Sequence, residues 1–310
     1  MCLRDSSNLY QVIGAGLGVV SSSDSFEPGP SGSSVITHHT EQNNVTVLSV
    51  NGLNVNGIHA NYDDIENLTL YLGDIADDVV INDSLAQASS QVTVRTNGGD
   101  DEVTLSIENA VGATNIHTGE GADIINVKSI QGESLINAGG DGDTINVGND
   151  ADTLRDIDAT LTIKGDGGID TINIDNAASN TPTPGQLYHN LLTGLDMGSL
   201  TVDASIIYDT VEDLNIDLGI VNDQFTIAST HTGTTDITDN GGNNNVVVNS
   251  IAGATTLSGS EGQDSITVGN AEHALVEIAA LLTIDANGDN GILVDTLTLN
   301  DTAADAIRAG

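Results

Sequence analysis

The stretch "INAGGDGDTINVGN", residues 136–149, places two aspartates either side of a glycine, behind further glycines and directly ahead of an alternating Thr-Ile-Asn-Val run. Glycine accepts the positive φ of a tight turn, and alternation of apolar with polar residues is the signature of a strand with one buried face. In "DTINV" the side chains of Ile145 and Val147 fall on one side and those of Thr144 and Asn146 on the other. The aliphatic pair faces inward. Just upstream, "SLIN" (Ser134–Asn137) supplies an opposite wall with Ile136 inward. Such a turn-and-strand unit cannot bury its apolar face alone, so it requires neighbours of its own kind.

The rest of the chain provides them. An Asp or Asn stands just ahead of a β-branched strand at Asp77, Asp101, Asp123, Asp143, Asp170, Asp223, Asn245, Asp264 and Asp295, at spacings of 24, 22, 20, 27, 53, 22, 19 and 31 residues. The gap of 53 has room for two turns, with "SLTVDA" (Ser199–Ala204) as the missing strand. A period near 20 predicts a solenoid. A longer repeat overlies the short one: "YDDIENLTLYLGDIADDVVI" (Tyr62–Ile81) matches "YDTVEDLNIDLGIVNDQFTI" (Tyr208–Ile227), and "INVGNDADTLRDIDATLTI" (Ile145–Ile163) matches "ITVGNAEHALVEIAALLTI" (Ile266–Ile284). The expected architecture is therefore an all-β parallel β-solenoid, a β-roll or β-helix of about ten rungs of 19–27 residues. Residues 1–40 read as a flexible lead-in and 41–310 as the solenoid, in two related blocks at about 50–170 and 193–300. Residues 150–161 and 271–282 carry apolar side chains at spacings of three and four, with Asn149 or Asp150 placed to cap the first and Asn270 the second, which predicts short capped helices in the longer turns. Pro182 and Pro184 mark 176–190 as an exposed loop.

Composition narrows the function. The 310 residues hold 45 Asp and Glu against 6 Lys and Arg, a formal charge of −39, which disfavours nucleic acid and anionic membranes as partners and favours cations. There is no Trp and there are two Phe, so Ile, Val, Leu and Ala must build the core. One cysteine, Cys2, allows no internal disulfide. No apolar run is long enough to cross a membrane as a helix. The apolar stretch Tyr10–Val20 has the length of a signal-peptide core, but Asp5 and a single Arg precede it; Ser21–Ser34 reads as linker.

Stacked rungs bring the aspartates into a column. Two bare carboxylates about 4.8 Å apart repel by about 3–4 kcal/mol at an effective dielectric of about 20, and an oxygen-seeking Ca²⁺ ion between turns would remove that repulsion. The glycine-aspartate turns here resemble the hemolysin-type calcium-binding (RTX) repeat, GGxGxDxUx with U a large apolar residue. The resemblance implies Ca²⁺ held between turns by glycine carbonyls and aspartate carboxylates. The best match is Gly119, Gly121 and Asp123 in "TGEGADIINV"; Gly139, Asp141 and Asp143 follow, then Gly262 with Asp264, and in part Gly99 with Asp101 and Gly168 with Asp170. The family's tandem nonapeptides give two motifs per turn, whereas this chain has one per 19–27 residues, which implies a single metal column.

Other features carry less. The histidines, at 38, 39, 59, 117, 189, 231 and 273, share no metal-ligand spacing. Arg95, Lys128, Arg155 and Lys164 are scattered, whereas a β-helix lyase or epimerase needs clustered cations for an acidic sugar. The expected function is a non-catalytic structural or adhesive solenoid segment, extracellular or at the cell surface, that binds calcium between rungs. Surface glycans or other repeat segments of a longer chain are the partners such a role would engage. A polysaccharide-modifying β-helix enzyme and a metal-free solenoid held by Asn and Thr ladders are the competing readings.

Overall fold

The computed structural model describes residues 67–303, apart from 75, 83, 85–87, 109, 199–203 and 286–293, together with the backbone of four earlier strands, Leu9–Ile13, Ser33–Ile36, Asn44–Val47 and Ile58–Asn61. Most of Tyr10–Val20 and of Ser21–Ser34, all but Ala204 of the "SLTVDA" segment, Tyr62, and His38 and His39 lie outside the described residues. Two of the four strands fall within the segment expected to be lead-in. The fold is a parallel β-solenoid of about nine turns, all-β, in two compact units: residues 1–146 with 156–170, and 147–155 with 171–310.

In the first unit the strands Asn67–Tyr71, Gln91–Arg95, Ala113–Glu120, Ser134–Gly140 and Thr160–Gly167 form one parallel ladder, begun by Leu9–Ile13. The strands Asp78–Ile81, Glu102–Ser106, Ile124–Ser129 and Thr144–Val147 form the second, begun by Ser33–Ile36. The register aligns the aliphatic side chains: Leu70, Val94, Ile116, Ile136 and Ile163 make one column, and Ile81, Leu105 and Val127 another, with a bulge between Val127 and Ser129 just beyond it. All of these side chains are buried. Strand alternation therefore directs one residue in two to the core, and each fully buried Ile, Leu or Val contributes about 1.5–3 kcal/mol. Ile136, Ile145 and Val147 face inward as expected.

The second unit repeats the scheme. Thr171–Asp175, Asp213–Asp217, Thr234–Thr238, Thr255–Ser258 and Leu282–Asp285 form one parallel ladder. Gly185–Tyr188, Gln224–Ile227, Asn245–Val248, Ser265–Val268 and Thr296–Leu299 form the parallel part of the other.

Two expectations are corrected. The proline-containing segment is not simply an exposed loop: it leads into Gly185–Tyr188, which turns through His189 and Asn190 into Leu191–Gly194, and that strand pairs antiparallel with Ser205–Asp209 as well. Pro182 and Pro184 precede the strand, where no ladder N–H is lost, and Leu187 and Leu192 fill the core. The two reversals cancel, so the parallel order resumes at Gln224–Ile227. The second correction concerns the long turns, which contain no helix among the described residues. Ile130 N–H donates to Asp156 O (2.9 Å) and Asp158 N–H to Ile130 O (2.8 Å), so these amides are spent on the neighbouring rung. Ile251 and Ile278 repeat the arrangement. Asn149 and Asn270 still cap their turns: Asn149 Oδ1 accepts from the Ala151 and Thr153 amides, Asn270 Oδ1 from those of Glu272 and Ala274.

Candidate functional site

The glycines of the repeated turns are obligatory where rungs touch. Gly119 and Gly139 sit at φ +107° and +112°, and a Cβ there would lie 1.7 Å from Asn97 O and 2.0 Å from Gly119 O. Gly121, at φ +126°, has the same constraint against Gly99 O. These turns deliver the aspartates to the inner wall. Asp101, Asp123 and Asp143 are 2%, 1% and 1% exposed, and Asp170 and Asp264 are also buried; Asp141, at φ +73°, stays on the exposed tip of its turn.

The column is stitched in one direction. Asp77 N–H donates to Asp101 Oδ1 (2.7 Å), Asp101 N–H to Asp123 Oδ1 (2.8 Å), Asp123 N–H to Asp143 Oδ1 (2.9 Å) and Asp143 N–H to Asp170 Oδ1 (2.9 Å). Each carboxylate thus reaches back to the amide of the preceding rung. In the second unit Asp223 N–H donates to Asn244 Oδ1 (2.5 Å), Asn244 N–H to Asp264 Oδ1 (2.8 Å) and Asp264 N–H to Asp295 Oδ1 (3.0 Å). The asparagine of the column is therefore Asn244. Asn245, its expected member, begins the next strand and is exposed. Register decides it, because Asn245 pairs with Gln224 and Ser265, each one residue past a column aspartate.

The other carboxylate oxygen is the chemically open atom. Oδ2 of Asp101, Asp123, Asp143 and Asp223 is buried and receives no hydrogen bond. Burial pushes Asp101 up to about 7, against the Thr96 hydroxyl and the Asp77 amide, which favour the charge; the Asp123 and Asp77 carboxylates add to the rise. Burial likewise raises Asp143 to about 7, helped by Asp123, Asp170 and Asp141 and opposed by the Asp123 amide. Asp123 is raised, and Asp223 reaches about 6, again chiefly through burial. Asp239, absent from the sequence expectation, belongs here too: it is buried, has an Oδ2 without a donor and adds to the rise at Asp223. Its signal in the sequence is "DNGGNN", an aspartate ahead of paired glycines and five residues before Asn244.

Neither a family model, nor a curated protein, nor a solved structure matches this chain.

A buried anionic oxygen without a protein donor is satisfied by a proton, a cation or an ordered water. Its chemistry suits Ca²⁺, which accepts hard oxygen ligands in adaptable number. Other groups nearby are committed: Asn97 O accepts from Glu120 N–H and Glu120 O from Gly99 N–H (both 2.9 Å), and Asp100 Oδ1 accepts from Ala122 N–H (3.0 Å). Among the described residues no three His, Cys, Asp or Glu side chains converge on one point. The column thus offers single carboxylate oxygens in succession rather than a cage. Of the scattered cations, Arg155 acts locally: it donates to Asn180 Oδ1 (2.7 Å) and Thr181 Oγ1 (3.0 Å) and pairs with Asp196 (3.6 Å).

Proposed function

We propose that the chain is a non-catalytic structural segment of an extracellular or cell-surface protein, a divergent relative of the hemolysin-type repeat whose rungs are tightened by Ca²⁺. The observation that carries this reading is the repeated carboxylate column, in which Oδ1 is tied to the neighbouring amide while Oδ2 of Asp101, Asp123 and Asp143 lies buried without a donor. A group used once per rung serves the stack rather than a single reaction centre. Asp101, Asp123 and Asp143 would hold the ion through Oδ2, with water completing a shell of six to eight oxygens. Bound Ca²⁺ would supply charge neutralisation between rungs, and an acidic, stiffened solenoid suits a spacer or adhesive role.

Thermal unfolding followed by β-type circular dichroism, with EGTA and then with added Ca²⁺, tests the proposal. The melting temperature should fall in chelator and recover with Ca²⁺, and Mg²⁺ should substitute poorly because it keeps its waters and demands a tighter octahedron. Asp123→Ala should weaken Ca²⁺ binding more than Asp295→Ala, since Asp123 alone follows a Gly-x-Gly-x-Asp turn. An unchanged melting curve in chelator would sink the calcium reading.

A further inference from the structure

We infer that the outer face of the ladder running from Asn67–Tyr71 to Thr160–Gly167 binds an acidic polysaccharide along the row Tyr71, Arg95, His117, Asn137 and Lys164. Register makes the row: Tyr71 pairs with Arg95, Arg95 with His117, His117 with Asn137 and Asn137 with Lys164, on five successive strands of the ladder. The preceding residue in each strand, Leu70, Val94, Ile116, Ile136 or Ile163, is buried, so the row stands on the outside, Lys164 exposed and the other four half-buried. Cations that are scattered in sequence are thereby brought three rung steps apart, about 14 Å, on one line. The face lies inside the ladder, where Gln91–Arg95, Ala113–Glu120 and Ser134–Gly140 are each paired on both sides.

The second block shows the same row without the charge. At the matching positions it has Asp217 for Tyr71, Thr238 for His117, Ser258 for Asn137 and Asp285 for Lys164, and these pair in the same register, in a ladder with no strand to match that of Arg95. The stack therefore forms with two acids and no cation in this row, so the cations of the first block serve something other than folding. The chain has six Lys and Arg against 45 Asp and Glu, and two of the six share this line. Among the described residues neither Arg95 nor Lys164 is ion-paired with a carboxylate. Burial and the Arg95 charge hold His117 below its ordinary value, with Asp166 acting the other way. Unpaired cations in line fit a ligand that carries carboxylates in series, the Arg95 guanidinium taking one of them through two N–H donors.

The surroundings select a glycan. Thr93, Asn115 and Thr162, in the adjoining outward row, offer neutral donors and acceptors to sugar hydroxyls, and the rings of Tyr71 and His117 offer flat faces to sugar C–H groups. An extended peptide gains affinity by adding main-chain hydrogen bonds at a sheet edge, and the central strands of this row have no free edge. Nucleic acid gains affinity with the number of phosphates neutralised, and two cations in a chain of charge −39 supply little. The inference gives the adhesive role proposed above a ligand class; it rests on the non-catalytic part of that reading and not on calcium.

Calorimetric titration of the full chain with galacturonate oligosaccharides of increasing length tests this proposal. EGTA is present so that no Ca²⁺ bridges two acids, and the temperature is kept below the melting transition of the chelated protein. Affinity should climb with length until one oligosaccharide reaches both cations and then level off. The double variant Arg95→Glu, Lys164→Glu should weaken binding by at least about tenfold with an unchanged circular dichroism spectrum. Arg95→Gln and Lys164→Gln, made singly, should each weaken it severalfold and serve if charge reversal disturbs the sheet. Lys128→Gln, on the other ladder, should bind like the parent. A parent that does not bind, or charge variants that fold and bind as the parent does, would overturn the row as a binding site. Neutral dextran oligosaccharides or polyglutamate binding as tightly would overturn the acidic glycan as its ligand. Chromatography of the titrated oligosaccharides separates this inference from the reading it rests on: shortened products that the double variant no longer makes would keep the row as the binding site and overturn the non-catalytic role.

Discussion

Asp143, on the inner wall of this solenoid, has two carboxylate oxygens to satisfy and the Asp123 amide to satisfy them with. Asn244 shows the neutral solution to the same geometry: its Oδ1 accepts from Asp223 N–H, and its Nδ2 donates to Gly241 O (3.1 Å). Asp143→Asn should therefore stabilise the metal-free protein at pH 8 by about 1–3 kcal/mol, since it keeps the acceptor for Asp123 N–H and removes a buried charge. Asp143→Ala should destabilise it by about 1–3 kcal/mol, because that amide is left buried and unpaired. Urea unfolding in EGTA compares the variants, and an asparagine variant no more stable than the parent would show that the charge is not a burden. The same shifts set the pH dependence. Asp101 and Asp143 titrate at about 7 when folded and near the ordinary value of about 3.9 when unfolded, so between these limits the folded state binds protons that the unfolded state has lost. Metal-free stability should accordingly fall as pH rises from about 4 to about 8. Urea midpoints across that range check the sign, and a rise with pH would contradict it. The column aspartates were legible from Gly-Asp turn spacing, whereas Asn244 and Asp239 were not, because the choice between adjacent residues depends on register.

At the scale of the element, the long turns show how one apolar pattern can be read in two ways. Leu154, Ile157 and Leu161 have helical spacing, but Ile157, Ala159, Leu161 and Ile163 also alternate as a strand does, and all five are buried. The neighbouring rung decides between the readings by supplying Ile130 O to Asp158 N–H. Asn149, whose Oδ1 holds the Ala151 and Thr153 amides and the Thr153 hydroxyl, then acts as the clasp of a turn. Asn149→Ala should lower stability by about 1–2 kcal/mol without removing any helical signal, as denaturant unfolding and far-ultraviolet circular dichroism would show. The inserted hairpin was illegible for a related reason. Its two prolines advertise a break, while the strand behind them is stabilised by distant groups: Gly185 lies where a Cβ would meet the Phe225 ring at 2.6 Å, and Tyr208 donates its hydroxyl proton to Tyr188 O (2.9 Å).

At the scale of the molecule, two electrostatic effects should separate by experiment. A charge of −39 produces general self-repulsion that any salt screens, whereas the charge on the buried Oδ2 atoms is neutralised by a proton or by an ion that enters the column. NaCl should therefore raise the melting temperature of the chelated protein, and Ca²⁺ at equal ionic strength should raise it further. Equal effects would leave screening as the whole explanation.

The amino-acid sequence alone determined the solenoid and the inward face of its strands. Period-2 alternation of Ile and Val, repeated near every 20 residues behind glycine turns, has one economical way to bury its aliphatic surface. It also located most of the aspartate column, because those residues sit at a constant offset from strands that must stack. Only the tertiary structure decided that each carboxylate caps the amide of the preceding rung, that the long turns are extended and that the proline segment reverses a strand. For the carboxylates and the long turns the deciding partner is a backbone group on a neighbouring rung, 20 or more residues away, and for the proline segment it is the packing of the reversed strands against Phe225 and Tyr208; sequence spacing carries no record of either.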